Sequence, residues 1–60
     1  MGDLKDKNGN IINVGDFIKI FDFKVEIEYF TTTNGGNNVM VGTDYGEINI
    51  NLVEKYIDNV

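Results

Sequence analysis

From Lys24 to Tyr29 the chain alternates without a break. Val25, Ile27 and Tyr29 fall at every second place, and Lys24, Glu26 and Glu28 fill the places between. Successive side chains of an extended strand point to opposite faces, so this spacing predicts a strand with one buried and one wet face. A helix would scatter the same residues around its circumference. Carried backwards, the same parity puts Lys19 inside and Ile18 and Ile20 outside, which a buried face does not tolerate. A bend or bulge around Phe21–Lys24, moving the phase by one residue, is the expected way out.

The composition agrees with strands. Eighteen of the 60 residues are Val, Ile or Thr and seven more are Phe or Tyr, whereas Leu occurs twice and Ala is absent. Beta-branched and aromatic side chains suit a pleated, half-buried surface. Seven glycines and nine asparagines supply the turn positions that short strands require. The expectation is a single all-β domain over residues 1–60, with 42% apolar residues to fill one core. A chain this short buries only about 60% of its unfolded surface, so its stability is marginal. Self-association is one remedy, which keeps a homodimer among the expected partners.

Along the chain, Asn8-Gly9 predicts a type I′ turn that reverses a short edge segment into Ile11–Ile12. Val14-Gly15-Asp16 makes a second turn, and Phe17–Phe21 opens a long strand. Thr31–Asn38 reads as a loop, Val39–Val41 as a strand and Thr43–Gly46 as a turn. Ile48 and Ile50 alternate with Asn49 and Asn51 in the next strand. The stretch from Leu52 to Val60 reads two ways. Leu52, Val53, Tyr56, Ile57 and Val60 fit a helical stripe, whereas Val53 and Ile57 fit a short strand. The lack of a cap and of helix formers favours the strand.

The charged residues exclude more than they suggest. Ten acids face five lysines, giving net charge −5 and a pI near 4.2. Without cysteine or histidine there is no disulfide, no thiolate site and no imidazole base. Asp6-x-Asn8-x-Asn10 begins like a calcium loop, but Ile11 and Phe17 stand where that loop needs its glycine and its bidentate glutamate. Glu26 and Glu28 share a wet face, where nothing raises a carboxyl pKa for acid catalysis. Asn34-Gly35-Gly36 lacks the following lysine of a phosphate cradle. No enzyme, cofactor or metal site is expected. Five scattered lysines do not suit phosphate binding, so direct nucleic-acid contact is not expected either. The acids are scattered as well and read as a solvated surface; a nucleic-acid-mimicking face would need them gathered on one side. No apolar run approaches the ~18 residues of a membrane span, and no basic-then-apolar leader marks export, so a cytoplasmic site of action is expected.

Two segments resemble the SH3-like barrel. Val14-Gly15-Asp16-Phe17-Ile18-Lys19-Ile20 is similar to the Gly-Asp-x-(apolar)-x-(apolar) entry into the second strand of that family. Gly46-Glu47-Ile48-Asn49-Ile50-Asn51-Leu52-Val53-Glu54 is similar to its Gly-x-Ile-Pro-x-Asn-Tyr-Val-x stretch, where a strand passes through a 3-10 turn into the last strand. The resemblance spans residues 12–57 loosely and implies a five-stranded barrel. Peptide-binding members carry an Ala-Leu-Tyr-Asp-Tyr strand, a tryptophan and the proline and tyrosine of the second motif. Here Asn49 and Leu52 replace those last two and tryptophan is absent, so the groove for proline-rich ligands is not implied. The opening from Asp6 to Asp16 is similar to small phage and prophage proteins of low-GC bacteria.

The aromatics carry the functional expectation. Phe17, Phe21, Phe23, Tyr29, Phe30, Tyr45 and Tyr56 are more than a barrel this small can enclose, even if most plug its core and open ends. A phase shift near Phe21–Lys24 would leave Phe21, Phe23 or Phe30 outside, with Tyr45 joining them from its turn. Such a patch, flanked by Asp22, Glu26 and Glu28, predicts a non-enzymatic protein-contact site with a basic partner. The other reading is an acidic inhibitor occupying a nucleic-acid-binding site.

Overall fold

Ile18 and Val25 lie opposite each other on neighbouring strands, both buried, and their pairing resolves the phase conflict of the sequence. In the computed structural model, which describes residues 3–58 apart from the side chain of Asn34, the chain reverses at Phe21–Asp22 instead of bulging. β1 (Phe17–Ile20) and β2 (Phe23–Glu26) are two arms of a tight hairpin closed by Ile20 and Phe23. Each arm keeps its own parity. Ile18 and Val25 face inward, and Lys19 faces water. The long strand from Phe17 therefore ends at Ile20. Phe21, the first central residue of the turn, has φ 53°, a position that glycine takes in type II′ turns.

Four further strands follow: β3 (Tyr29–Thr33), β4 (Asn38–Thr43), β5 (Gly46–Asn49) and β6 (Glu54–Lys55). They complete two antiparallel three-stranded sheets, ordered β2-β1-β6 and β3-β4-β5. The domain is all-β, as expected, with six strands rather than five. No ladder joins β5 to β6 among the described residues, so the strands do not close into a ring. The Gly15-Asp16 turn leads into the first of these strands, because the segment before it makes, among the described residues, only one isolated bridge, Lys5 to Ile11.

Ile27 and Glu28 carry the chain from one sheet to the other. The Ile27 N–H donates to the Asp16 carbonyl at 2.8 Å, and its own carbonyl accepts from Gly15 at 2.9 Å. The next N–H, that of Glu28, points the other way and donates to Gly42 at 2.8 Å. Extended peptides alternate their bonding direction, so one bend at this point serves both sheets.

The turns differ from expectation in detail. Asp6 N–H donates to Asn10 O at 2.9 Å and Gly9 N–H to Asp6 O at 3.1 Å, with φ 85° at Gly9 and no positive φ at Asn8. This is a three-residue loop with a glycine bulge rather than a type I′ turn. Around Gly15, Asp16 N–H donates to Asn13 O at 3.0 Å, and the Asp16 carboxylate accepts from Asn13 N–H at 2.8 Å. Thr31, Thr32 and Thr33 are strand and not loop, paired with Met40, Val39 and Asn38, because their branched Cβ atoms suit a ladder. Ile50–Leu52 form a 3-10 turn capped by Asn49, whose Oδ1 accepts from Asn51 N–H at 2.9 Å. The C-terminal stretch is strand at Glu54–Lys55, not helix. Val53 is buried, but Ile57 lies 57% exposed beyond the strand, and Val60 falls outside the described residues.

Ile12, Ile18, Val25, Ile27, Val41, Ile50 and Val53 form the core, with Leu4, Ile20, Phe30, Val39 and Ile48 packed against it. The core is thus aliphatic and beta-branched, drawn from both sheets, the bend and the N-terminal hairpin. Full burial of one such side chain is worth about 1.5–3 kcal/mol. The expectation that most aromatics plug the core is corrected: Phe30 alone among them packs against it. Sheets separated by Ile and Val side chains leave no width for more rings.

Candidate protein-contact site

Beyond the bend, β2 stays with β1 while β3 stays with β4. Among the described residues no ladder joins β2 to the tip of the β4–β5 hairpin, Asp44-Tyr45, and a wedge lies between them. Ile20, Phe21, Phe23, Val25 and Tyr45 line an apolar recess of about 280 Å³ there. Its floor is the buried Val25 and the half-buried Ile20; its rim is aromatic, with Phe21 87%, Tyr45 79% and Phe23 67% exposed.

Both sides of the wedge are held locally. Thr43 is buried, donates its hydroxyl to Gly46 O at 3.0 Å and accepts from Tyr45 N–H at 3.1 Å, which fixes the tip carrying Tyr45. On the other side, Phe21 is forced into positive φ by the two-residue turn. A bulky residue in the left-handed region costs about 1–2 kcal/mol, and such strain clusters at functional positions. Phe23 has the inward parity of Val25, yet it stands largely exposed at the rim of the recess.

The expected site residues divide. Phe21, Phe23 and Tyr45 come together around one recess. Phe30 is half-buried against the core and leaves the group, because β3 begins a new parity after the bend. Asp22 lines a different groove, on the outer face of the β1–β2–β6 sheet, with Lys19, Glu54 and Tyr56. Glu26 and Glu28 do not line the recess: Glu26 is exposed on β2 with the outward parity of Lys24, and Glu28 follows at the bend. Asp44, on the tip of the β4–β5 hairpin, acts on Glu28: a proton shared with its carboxyl, then its charge, slight burial and the charge of Glu26, raise the Glu28 pKa above the ordinary carboxylate value. Ile20 and Val25 were missed as floor residues. The only signal for them was the hairpin register, which requires locating the reversal at Phe21.

Adjacent surfaces are occupied differently. Leu52, 72% exposed on the 3-10 turn, lines a second groove with Lys7, Lys19, Ile20, Phe21, Ile48, Val53 and Glu54, so the apolar surface continues past Phe21. On the outer face of the same sheet, the Lys24 ammonium sits 4.6 Å from the Phe17 ring centre and 5.1 Å from that of Tyr56, with Asp58 at 3.8 Å. Beside the wedge, the Tyr29 hydroxyl donates to Glu47 at 2.7 Å. That bond, then slight burial and the charges of Glu47 and Glu28, raise the Tyr29 pKa above its ordinary value. The oxygens of Asp6, the first acid of the calcium-like motif, point at amide donors of Asn8, Asn10 and Lys55. Compared with protein families, with curated proteins and with solved structures, the chain matches none.

Proposed function

We propose that this chain is a non-enzymatic protein-contact module that binds through Phe21, Phe23 and Tyr45. The observation that supports it is the exposure of three aromatic side chains around one apolar recess in a domain whose core holds none of them entirely. Aromatics dominate interface hot spots, and large apolar patches on small soluble domains mark contact sites. The acids at the wedge suit a basic partner surface and faster encounter. The 3-10 turn before β6 supports the finer reading of the fold as an opened relative of the SH3-like barrel. In the setting implied by the resemblance of residues 6–16, the partner is a host or viral protein in the bacterial cytoplasm.

The test compares the wild-type chain with Phe23→Asp as baits in lysate of a low-GC bacterium, read by quantitative mass spectrometry. A stoichiometric partner held by the wild type and lost from the variant, with unchanged circular dichroism, is the expected result. Identical captured sets, or an unfolded variant, overturn the reading.

A second reading, mimicry of a nucleic-acid phosphate track, draws on the gathering of Glu26, Glu28 and Asp44. It predicts that Glu28→Lys abolishes inhibition of a DNA-binding partner while Phe23→Asp leaves it intact.

A further inference from the structure

We infer that the recess takes its partner as an added β-strand along the free edge of β2, an extended segment in which lysine or arginine alternates with apolar side chains. This rests on reading the patch as a protein-contact site and specifies how the contact is made.

The backbone of β2 supplies the edge. In a two-residue hairpin the closing pair exchanges hydrogen bonds, and the exchange recurs at every second pair. Ile20 and Phe23 close this one, so Ile18 and Val25 bond next, and the Ile27 N–H bonds Asp16 at 2.8 Å in the same series. The N–H and C=O groups of Lys24 and Glu26 therefore point away from β1. Glu28 is the next residue on that side, and its N–H is satisfied by Gly42 at 2.8 Å. Beyond it β4 turns off at Thr43, and β2 is the last strand of its sheet.

Edge strands are commonly guarded by a lysine that stands over the unpaired groups. Lys24 does not stand there. Its ammonium is drawn to the outer face, between the rings of Phe17 and Tyr56 and toward Asp58. The edge of β2 is left open beside the recess.

Side chains and charge specify the occupant. A strand laid along β2 sends every second side chain to the inner face, into the recess of Ile20, Phe23, Val25 and Tyr45, and the others beside Lys24 and Glu26. Glu26, Glu28 and Asp44 gather at this edge, and cationic side chains on the added strand relieve their repulsion. A second copy of this chain brings the same three acids and another net charge of −5, which disfavours it as the occupant.

The probe is a capped synthetic peptide, Lys-Val-Lys-Phe-Lys-Val-Lys, titrated into the 15N-labelled protein by NMR. Saturation is expected to slow amide exchange at Lys24 and Glu26 about tenfold or more, as new backbone hydrogen bonds form. N-methylation of one alternate set of peptide amides is expected to abolish binding and of the other set to leave it, since only one set faces β2. Replacing the peptide lysines by glutamates is expected to abolish binding. If both methylated peptides bind like the parent and shift only Phe21, Phe23 and Tyr45, strand addition is overturned and the contact patch stands. If no peptide binds, strand addition is overturned, and the Phe23→Asp capture comparison judges the patch on its own. Protection of Lys24 and Glu26 without peptide, with a doubled mass by light scattering, overturns it in favour of a second copy.

Discussion

The carboxylate of Asp6 accepts the backbone N–H of Lys55 at 2.7 Å, joining residues 49 positions apart. The same carboxylate accepts from Asn10 N–H at 2.7 Å, Asn8 N–H at 2.9 Å and Asn10 Nδ2 at 3.2 Å. Lys7 N–H donates to Val53 O at 3.0 Å beside it, so the N-terminal loop covers the outer edge of β6. One short buried side chain thus ends the sheet and fixes the loop that carries Ile12 into the core.

Burial alone would raise the Asp6 pKa, but the amides of Lys55 and Asn10, the Asn10 side chain and the Asn8 amide outweigh it and hold it below the ordinary value of 3.8. A lowered folded-state value stabilises the protein above the unfolded pKa, and the gain is lost as pH falls through the folded value. Asp6→Asn is expected to cost about 2–3 kcal/mol at pH 7, since its amide group turns a donor toward buried donors. Urea melts at pH 7 and pH 2.5 check this. An equal loss at both would show that the charge is irrelevant.

Phe21→Asn is expected to stabilise the fold by about 0.5–1 kcal/mol, because asparagine tolerates the left-handed turn that phenylalanine endures. Little burial is lost with a ring 87% exposed. The same change is expected to weaken partner binding, so stability and binding move in opposite directions. Thermal melts and a binding titration read the two together, and a fall in stability would remove the argument from strain.

Tyr29 lies flat across Gly42, its partner in the ladder, and a Cβ at Gly42 would run into the ring. Gly42→Ala is expected to push the ring aside, break its bond to Glu47 and lower the melting temperature. Because that bond is the main cause raising the Tyr29 pKa, one tyrosine should ionise at lower pH in the variant. An ultraviolet titration unchanged from wild type would mean that the ring keeps its place.

Ile27→Ala removes a fully buried side chain at the bend between the sheets. The expected cost is about 2–4 kcal/mol, enough to unfold much of so small a domain. Phe23→Asp, at an exposed ring, is expected to stay within about 1 kcal/mol of wild type. Urea midpoints separate core from contact surface, and similar losses for both would place Phe23 in the core.

Glu28 shows the opposite pH behaviour to Asp6. Its raised value, caused first by the Asp44 hydrogen bond and charge, means that stability rises as pH falls through it. Glu28→Gln is expected to raise the melting temperature at pH 7 and to lose that advantage near pH 4. A constant difference across this range would mean that Asp44 does not act on it.

Local pattern carried much of the fold. The alternation at Val25 and Ile27 gave a buried face and Val14-Gly15-Asp16 a turn, while the strand, 3-10 turn and strand over Gly46–Glu54 followed from the resemblance to the SH3-like barrel. Thr31–Thr33 carry a loop signal, as three polar residues before Asn34-Gly35-Gly36, while their branching acts only once a partner strand is present. Of the site, Phe21, Phe23 and Tyr45 were legible as surplus aromatics, and the phase conflict marked where to look. Phe30 was not separable from them, since its parity depends on the bend at Ile27–Glu28.

By itself the sequence determined that this chain forms short strands with apolar inner faces and tight turns, because side-chain period and backbone freedom act between near neighbours. Tertiary structure alone decided that one conflict of phase is a reversal, that Asp6 reaches Lys55, and that three rings surround a wedge with Asp44 beside Glu28. Those outcomes depend on which strands meet, and packing between distant segments sets that pairing.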